Sequence, residues 1–454
     1  MSTESLQDPY RLSPEHIEAP PQTLPGIFRR IGPGLILTSS VVGSGELIAT
    51  TILGAENGYS LLWLILLSCT IKIVVQNELG RYAIGTGETT LEAFDRVPGP
   101  RFKVSWLVWF WLVVVIVFQF AMGGMLGGIA EVLSALVPVL PMKIWLWVVC
   151  IVTSILLIVA RYKLLERVAL GMVVMFTILT VGCAVLLSRS PDYFSWTNVI
   201  DGLRYHRPQG GFVMAVTVFA TTGVGALELI VYPYWCIEKG YARYTGLRDC
   251  APAWQERARG WIKVMGVDVL SSWVVYTFTT VAFYFLGAGI LNGLGVVPKG
   301  LDMVKVLSNM FTMTLGPWSF YLFLVGALAV LYSTVFASIA AISRGLADFF
   351  GLVGVFDKTQ YAARLKAIRI LAVILPIIPS FLFLFVQSPV FMIKVSGVVQ
   401  ASILPLIGFA TIYLRYFHTP KEILPKKWIT LALWFTSLVM LIMMGYSVIQ
   451  ELTS

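Results

Sequence analysis

The chain has 454 residues, 57% of them hydrophobic and 13% charged, with a mean hydropathy of +0.82, which excludes a water-soluble globule and fits a polytopic membrane protein. Its net charge of +9 does not argue for nucleic acid, because most of the cations flank apolar segments. Five scattered cysteines with no CxxC spacing support neither a disulfide framework nor a metal cluster.

Residues 1–30 are polar and proline-rich ("EAPPQTLPG") with no short apolar stretch among them, so they read as a cytoplasmic tail rather than a cleaved leader. Apolar runs long enough to cross a bilayer then follow at 34–56, 59–82, 104–136, 142–160, 166–187, 211–237, 261–289, 316–348, 367–387, 390–415 and 427–449, eleven spans in all. With the N-terminus inside, the inner segments carry 25 Lys and Arg and the outer loops six, the asymmetry that fixes orientation. That places the C-terminus outside the cytoplasm, and a bacterial inner membrane is the expected home.

The first and sixth spans are interrupted. Span 1 contains "SSVVGSGELIATT", with Gly43, Ser44, Gly45 and Glu46 where an unbroken apolar helix is expected. Span 6 contains "TTGVGALELIVYPYW", with Gly223, Gly225 and Pro233 around Glu228. Interrupted helices opening two five-helix halves, each with an acid, are the sequence mark of a midplane binding site in an inverted-repeat transporter. Irregular backbone at that depth needs protein or a water-filled cavity beside it. The division that follows is a first repeat over 31–189, an outer loop over 190–210, a second repeat over 211–415, and an eleventh helix with the C-terminus over 416–454.

Several stretches carry a family resemblance. "RRIGPGLILTSS", "GAENGYSLLWLILLS" and "RYAIGTGETTLEAF" are similar to the first two helices, and the loop after them, of the Nramp family of divalent-metal transporters. "GALELIVYPYW" resembles its sixth helix, and "LYSTVFASIAA" and "KVSGVVQASILP" its eighth and tenth. The resemblance spans roughly 27–415 and is strongest over 29–94. It implies an all-α integral membrane protein with the LeuT-like fold: a 5+5 inverted repeat, broken helices 1 and 6, and an eleventh helix.

The departures fall on the metal site. Where the family has Asp-Pro-Gly-Asn, this chain has Gly43-Ser44-Gly45-Glu46, so the Asp is lost and the carboxylate stands three residues later. Where the family has Ala-x-x-Met-Pro-His, Ala226 is followed by Leu227, Glu228, Leu229, Ile230 and Val231, with no thioether, proline or histidine. A second family histidine aligns near Cys236. The only histidines, His16, His206 and His418, lie outside the spans. Imidazole and thioether are what favour transition metals over hard ions, so none of the family's metal ligands is carried over and no bound metal or other cofactor is expected.

The residues read as substrate-binding are Glu46 and Glu228, the break residues Gly43, Ser44 and Gly45, Ala226, and the aromatics Phe219, Tyr232 and Tyr332. Intramembrane carboxylates are expensive and functional by default, and two close together repel unless a cation lies between them. Lys72 is a candidate counter-ion to either glutamate. Glu131 and Asp268 are candidates for a proton relay, with interfacial or gating ion pairs as the plainer role. Gly123, Gly124, Gly127 and Gly128 in span 3 read chiefly as close helix packing, and Gly397 stands where the family tends to have a Gln, removing bulk near the centre.

The function that follows is a secondary transporter moving a cation by alternating access. The favoured cargo is a small organic cation of guanidinium or amine type, held by ion pairing and stacking. The alternatives are a hard divalent ion, Mg²⁺ or Ca²⁺, held by carboxylate oxygens, and a channel or membrane sensor. No phosphate-loop or hydrolase motif supports an enzyme. The partners expected are the cationic substrate and the bilayer, with the coupling ion, H⁺ included, left open.

Overall fold

The computed structural model describes residues 8–159, 162–208, 212–249 and 251–453. Every predicted span is a helix. Span 1 is Pro33–Val41 (1a), then a wide turn Ser44–Thr50 running into Thr51–Asn57 (1b). Span 2 is Leu62–Thr86, span 3 Trp106–Leu136, span 4 Met142–Val159 and span 5 Tyr162–Leu187. Span 6 is Phe212–Thr221 (6a) and Ala226–Lys239 (6b), and span 7 is Pro252–Leu286 continuing through Gly287–Leu291. Spans 8 to 11 are Ser319–Leu352, Tyr361–Val386, Pro389–Phe417 and Lys427–Thr453. Among the described residues, eight helical stretches are long and apolar enough to cross a membrane, with shorter apolar helices at Met142–Ile158 and Val174–Leu187.

Broken span 6 is the centre of the bundle: 83% of its most apolar stretch is buried, against 22% for span 11 at the rim. Span 1a packs on 6b, 7 and 8, span 2 on 6b and 7, and span 3 on 8, 9 and 10. Hydrophobic burial drives little of this inside lipid, so close backbone approach matters more. The glycines of span 3 supply it. A Cβ at Gly123 would stand 2.7 Å from the Pro379 carbonyl oxygen, and one at Gly124 2.8 Å from that of Pro389. One at Gly127 would enter the Phe383 ring.

Gly397 does the same. A Cβ there would lie 2.8 Å from the Cβ of Thr217, so this glycine seats span 10 against 6a and opens no central space. That corrects the expectation of a cavity enlarged at Gly397.

Span 7 begins at Pro252, nine residues before the predicted 261, because "PAWQERARG" continues the helix beyond the apolar stretch. Helix Met303–Leu315, between spans 7 and 8, is not predicted by the hydropathy pattern. At the opposite end of the bundle a buried cluster joins four elements. Asp348 of span 8 pairs with Arg364 of span 9 and accepts hydroxyls from Thr89 (2.5 Å) and Tyr234 of 6b (2.6 Å). The Arg364 guanidinium lies 3.8 Å over the Tyr10 ring, and Tyr10 donates to Glu238 (2.8 Å).

Candidate functional site

The two breaks have different local causes. Span 1a loses its register at Val42, and Gly43 takes φ −99°, ψ −98° before the wide turn starts. A side chain there would collide with Thr334 of span 8, its Cβ only 2.5 Å from the Thr334 Cβ. In span 6 the chain turns at Gly223 with φ +64°, a left-handed conformation that favours glycine. It restarts as a helix after Gly225, the N-cap of 6b.

Each break leaves orphan backbone groups and the ends of two helix dipoles, positive at N-termini and negative at C-termini. The buried charges answer those ends. Glu46 stands at the start of the wide turn Ser44–Thr50 that leads into 1b, and its Oε1 accepts the Gly223 N–H (3.1 Å) and the Thr280 hydroxyl of span 7 (3.1 Å). Its Oε2 is buried and accepts no hydrogen bond among the described residues. Lys72 of span 2 donates Nζ to the carbonyls of Phe219 (2.9 Å) and Thr222 (2.5 Å), at the C-terminal end of 6a. Ser68 donates to the same two oxygens. The hydroxyls of Thr50 and Thr222 meet at 2.9 Å. The breaks are therefore joined along one seam.

Glu228 sits apart from that seam, in the first turn of 6b. It lines two adjoining cavities of about 10 and 20 Å³ that share Ser40, Phe118 and Ser338, each close to what one water needs. The inner one is completed by Gly45, Thr221, Thr334, Gln400, Met125 and Ile393 among others. Glu46 lines neither. The two glutamates thus do not face one space, and no ion pair within 4.0 Å joins Lys72 to either.

The other candidates divide similarly. Gly43 and Gly45 shape the first break, with Gly45 against the Thr221 carbonyl oxygen. Ala226 opens 6b and is buried. The Ser44 backbone begins the wide turn, and its side chain lies outside what is described. Phe219 has its ring 5.8 Å from the Lys72 ammonium. Tyr232 donates to Asp268 (3.0 Å), and Tyr332 reaches Thr153 of span 4 (3.4 Å). None of these three aromatics lines the cavities at Glu228, where the rings are Phe118 and Trp235.

Asp268 accepts the N–H groups of Gly32 (2.9 Å) and Gly34 (2.6 Å), holding the N-terminus of 1a. Glu131 accepts the Val304 N–H (2.9 Å) at the start of Met303–Leu315. Phe118, Met125, Ser40, Thr221, Thr334, Ser338 and Gln400 were not anticipated. Gln400, a lone amide deep in an apolar span, was the one readable signal among them.

No group of three or more His, Cys, Asp or Glu side chains comes together among the described residues. What faces the cavity is one carboxylate with neutral hydroxyls, an amide, a thioether and apolar carbon.

The profile of the family described as "Natural resistance-associated macrophage protein-like" matches residues 34–450. The uncharacterized protein PM0681 of Pasteurella multocida (strain Pm70) is 24% identical over 324 residues, 70% of this chain and 69% of that protein. Among solved structures, a mutant of the Eremococcus coleocola manganese transporter superposes with TM-score 0.67 at 15% identity, covering 96% of this chain and 90% of that one. Mhp1 in an inward-facing conformation gives 0.53 at 13% identity, covering 96% and 94%. The fold is accordingly that of the LeuT-like transporters, and the protein is no enzyme. With its two broken helices and a family match over most of its length, this chain belongs to the Nramp family of membrane transporters.

Proposed function

We propose that this Nramp-family transporter moves a small monovalent cation, of guanidinium or amine type, by alternating access, with Glu228 as the carboxylate that meets it. The observation that carries this reading is the composition of the cavity at 6b: one carboxylate, neutral hydroxyls, the Gln400 amide and the Phe118 ring. A single carboxylate balances one positive charge. Hydroxyl and amide oxygens accept the remaining N–H donors, and a ring face attracts an organic cation.

A divalent ion fits less well, because Glu46, the second carboxylate such an ion would need, already holds Gly223 and Thr280. Transition metals lack an imidazole here, and Met125 alone is a weak donor. Both cavities are near the size of one water, so a larger cargo enters only as the helices part, the motion alternating access supplies. The charge asymmetry of the loops supports an inner-membrane protein with a cytoplasmic N-terminus.

Calorimetry of the purified protein against Mn²⁺, Mg²⁺, Ca²⁺, guanidinium and a series of alkylamines tests this. The expected result is saturable binding of an organic cation that Glu228→Gln weakens by roughly 10- to 150-fold. Tight Mn²⁺ binding, or Mg²⁺ binding with no organic cation bound, overturns it. Proteoliposome flux far above carrier turnover would favour a channel instead.

A further inference from the structure

Between the end of span 10 at Phe417 and the start of span 11 at Lys427 lies a cleft of about 940 Å³ that takes no part in the cation site. We propose that it binds the headgroup of an anionic glycerophospholipid at the membrane boundary, with one acyl chain laid along its apolar wall. Three independent observations carry this.

The first is charge. Lys421 and Lys427 are exposed at the cleft and enter no ion pair among the described residues, whereas Arg248 and Arg415, which also line it, are paired with Glu422 and Glu78. Among the described residues no acidic side chain lines it. Glu422, the nearest acid in sequence, is turned to Arg248 (2.7 and 3.0 Å). That hydrogen bond holds its carboxyl below the usual carboxylate range, so it stays charged and engaged. Basic pockets between membrane helices are where anionic headgroups bind, each Lys or Arg adding roughly 1 kcal/mol near the surface.

The second is rigidity. The short turn Lys421–Ile423 is clamped from behind: the Glu422 carbonyl oxygen accepts Arg259 (3.1 and 2.9 Å) and Gln255 (3.2 Å), and the Ile423 carbonyl accepts Arg81 (3.0 Å). Lys421 is therefore presented from a fixed backbone rather than from a mobile loop. A preorganised donor binds with less ordering cost.

The third is the apolar side. Phe417 is 71% exposed, Leu431 71% and Leu424 41%, and all three line the same cleft as the lysines. A soluble anion has no use for that surface, whereas an acyl chain leaving a headgroup does. Because the cleft opens where two membrane-crossing helices end, both halves of a lipid meet their own solvent there.

Native mass spectrometry of the purified full chain tests it, with phosphatidylglycerol or phosphatidylcholine added at equal concentration. Phosphatidylglycerol should be retained about tenfold more, and Lys421→Gln with Lys427→Gln should remove that preference. A charge-matched control, Lys366→Gln with Arg369→Gln on another face, should keep it. Equal retention of the two lipids overturns the proposal, as does a preference that survives loss of both lysines or falls equally in the control. Glycerol phosphate separates a headgroup from a free phosphate: if it displaces the lipid completely at comparable concentration, the site is one for soluble phosphate and the lipid assignment fails.

Discussion

The two glutamates should respond to the same substitution in opposite ways. Glu228→Gln removes the charge facing the cavity while touching no hydrogen bond that joins the breaks. A charge-assisted contact is worth about 1.5–3 kcal/mol, so affinity for a cationic ligand should fall by roughly 10- to 150-fold, at 1.4 kcal/mol per factor of ten. The melting temperature should barely move. Glu46→Gln leaves an oxygen that can still accept from Gly223 and Thr280, but both bonds become neutral. Neutral bonds have about half the strength of charge-assisted ones. The weakening of both bonds should cost roughly 2 kcal/mol of stability. Affinity should change by less than about threefold, under ~0.7 kcal/mol. Calorimetry and thermal unfolding on the same preparations separate the two effects. A tenfold affinity loss in Glu46→Gln at unchanged melting temperature, with Glu228→Gln silent, would refute the division of roles.

Gly397→Ala should wedge span 10 away from 6a, costing about 1–3 kcal/mol of stability, and Thr217→Ala should restore part of it in the double variant; no recovery would mean the contact is not the cause. Arg364→Met should destabilise by roughly 3–5 kcal/mol by leaving Asp348 charged and buried, and adding Asp348→Asn should recover much of that in chemical unfolding. Burial pushes the Glu92 carboxyl up, but hydrogen bonds from Lys358 and the Thr89 N–H, with the Lys358 and Arg364 charges, outweigh it and hold the group below 4.5. Its contribution is therefore present above pH ~4.5 and lost as pH falls through the depressed value. Protection against hydrogen exchange in Thr90–Asp95, taken relative to the intrinsic rate at each pH, should fall on acidification, and Glu92→Gln should flatten that dependence; an unchanged acid response in Glu92→Gln would count against it.

The spans and both breaks were legible because hydropathy, glycine and a lone acid are local signals. Direction was not. In a helix apolar on every face, periodicity cannot say which way Tyr232, Phe219 or Tyr332 points, and each was read toward a cavity it does not line. Glu46 and Glu228 look equivalent in sequence, each shortly after a glycine. Only the crossing of the chain brings Gly223 to one of them and leaves the other in the cavity. Helix Met303–Leu315 escaped notice because its 13 residues are too short and too mixed in polarity for a span.

Asp268, which holds the first two free amides of 1a, comes from span 7, and so does Thr280, which meets Glu46 in the wide turn before 1b. Lys72 and Ser68, which hold the end of 6a, both come from span 2. Pulling 1a from span 7, or 6a from span 2, would strand charges and amides in a dry interior. Carrying spans 1, 2, 6 and 7 together against the rest of the bundle breaks none of these bonds. Spans 8 and 10 approach this group closely where Thr334 meets Gly43 and where Gly397 meets Thr217. Such a motion would also have to part the bonds that tie these spans to their neighbours: Tyr234 to Asp348, Glu238 to Arg344, and Glu78 to Arg415.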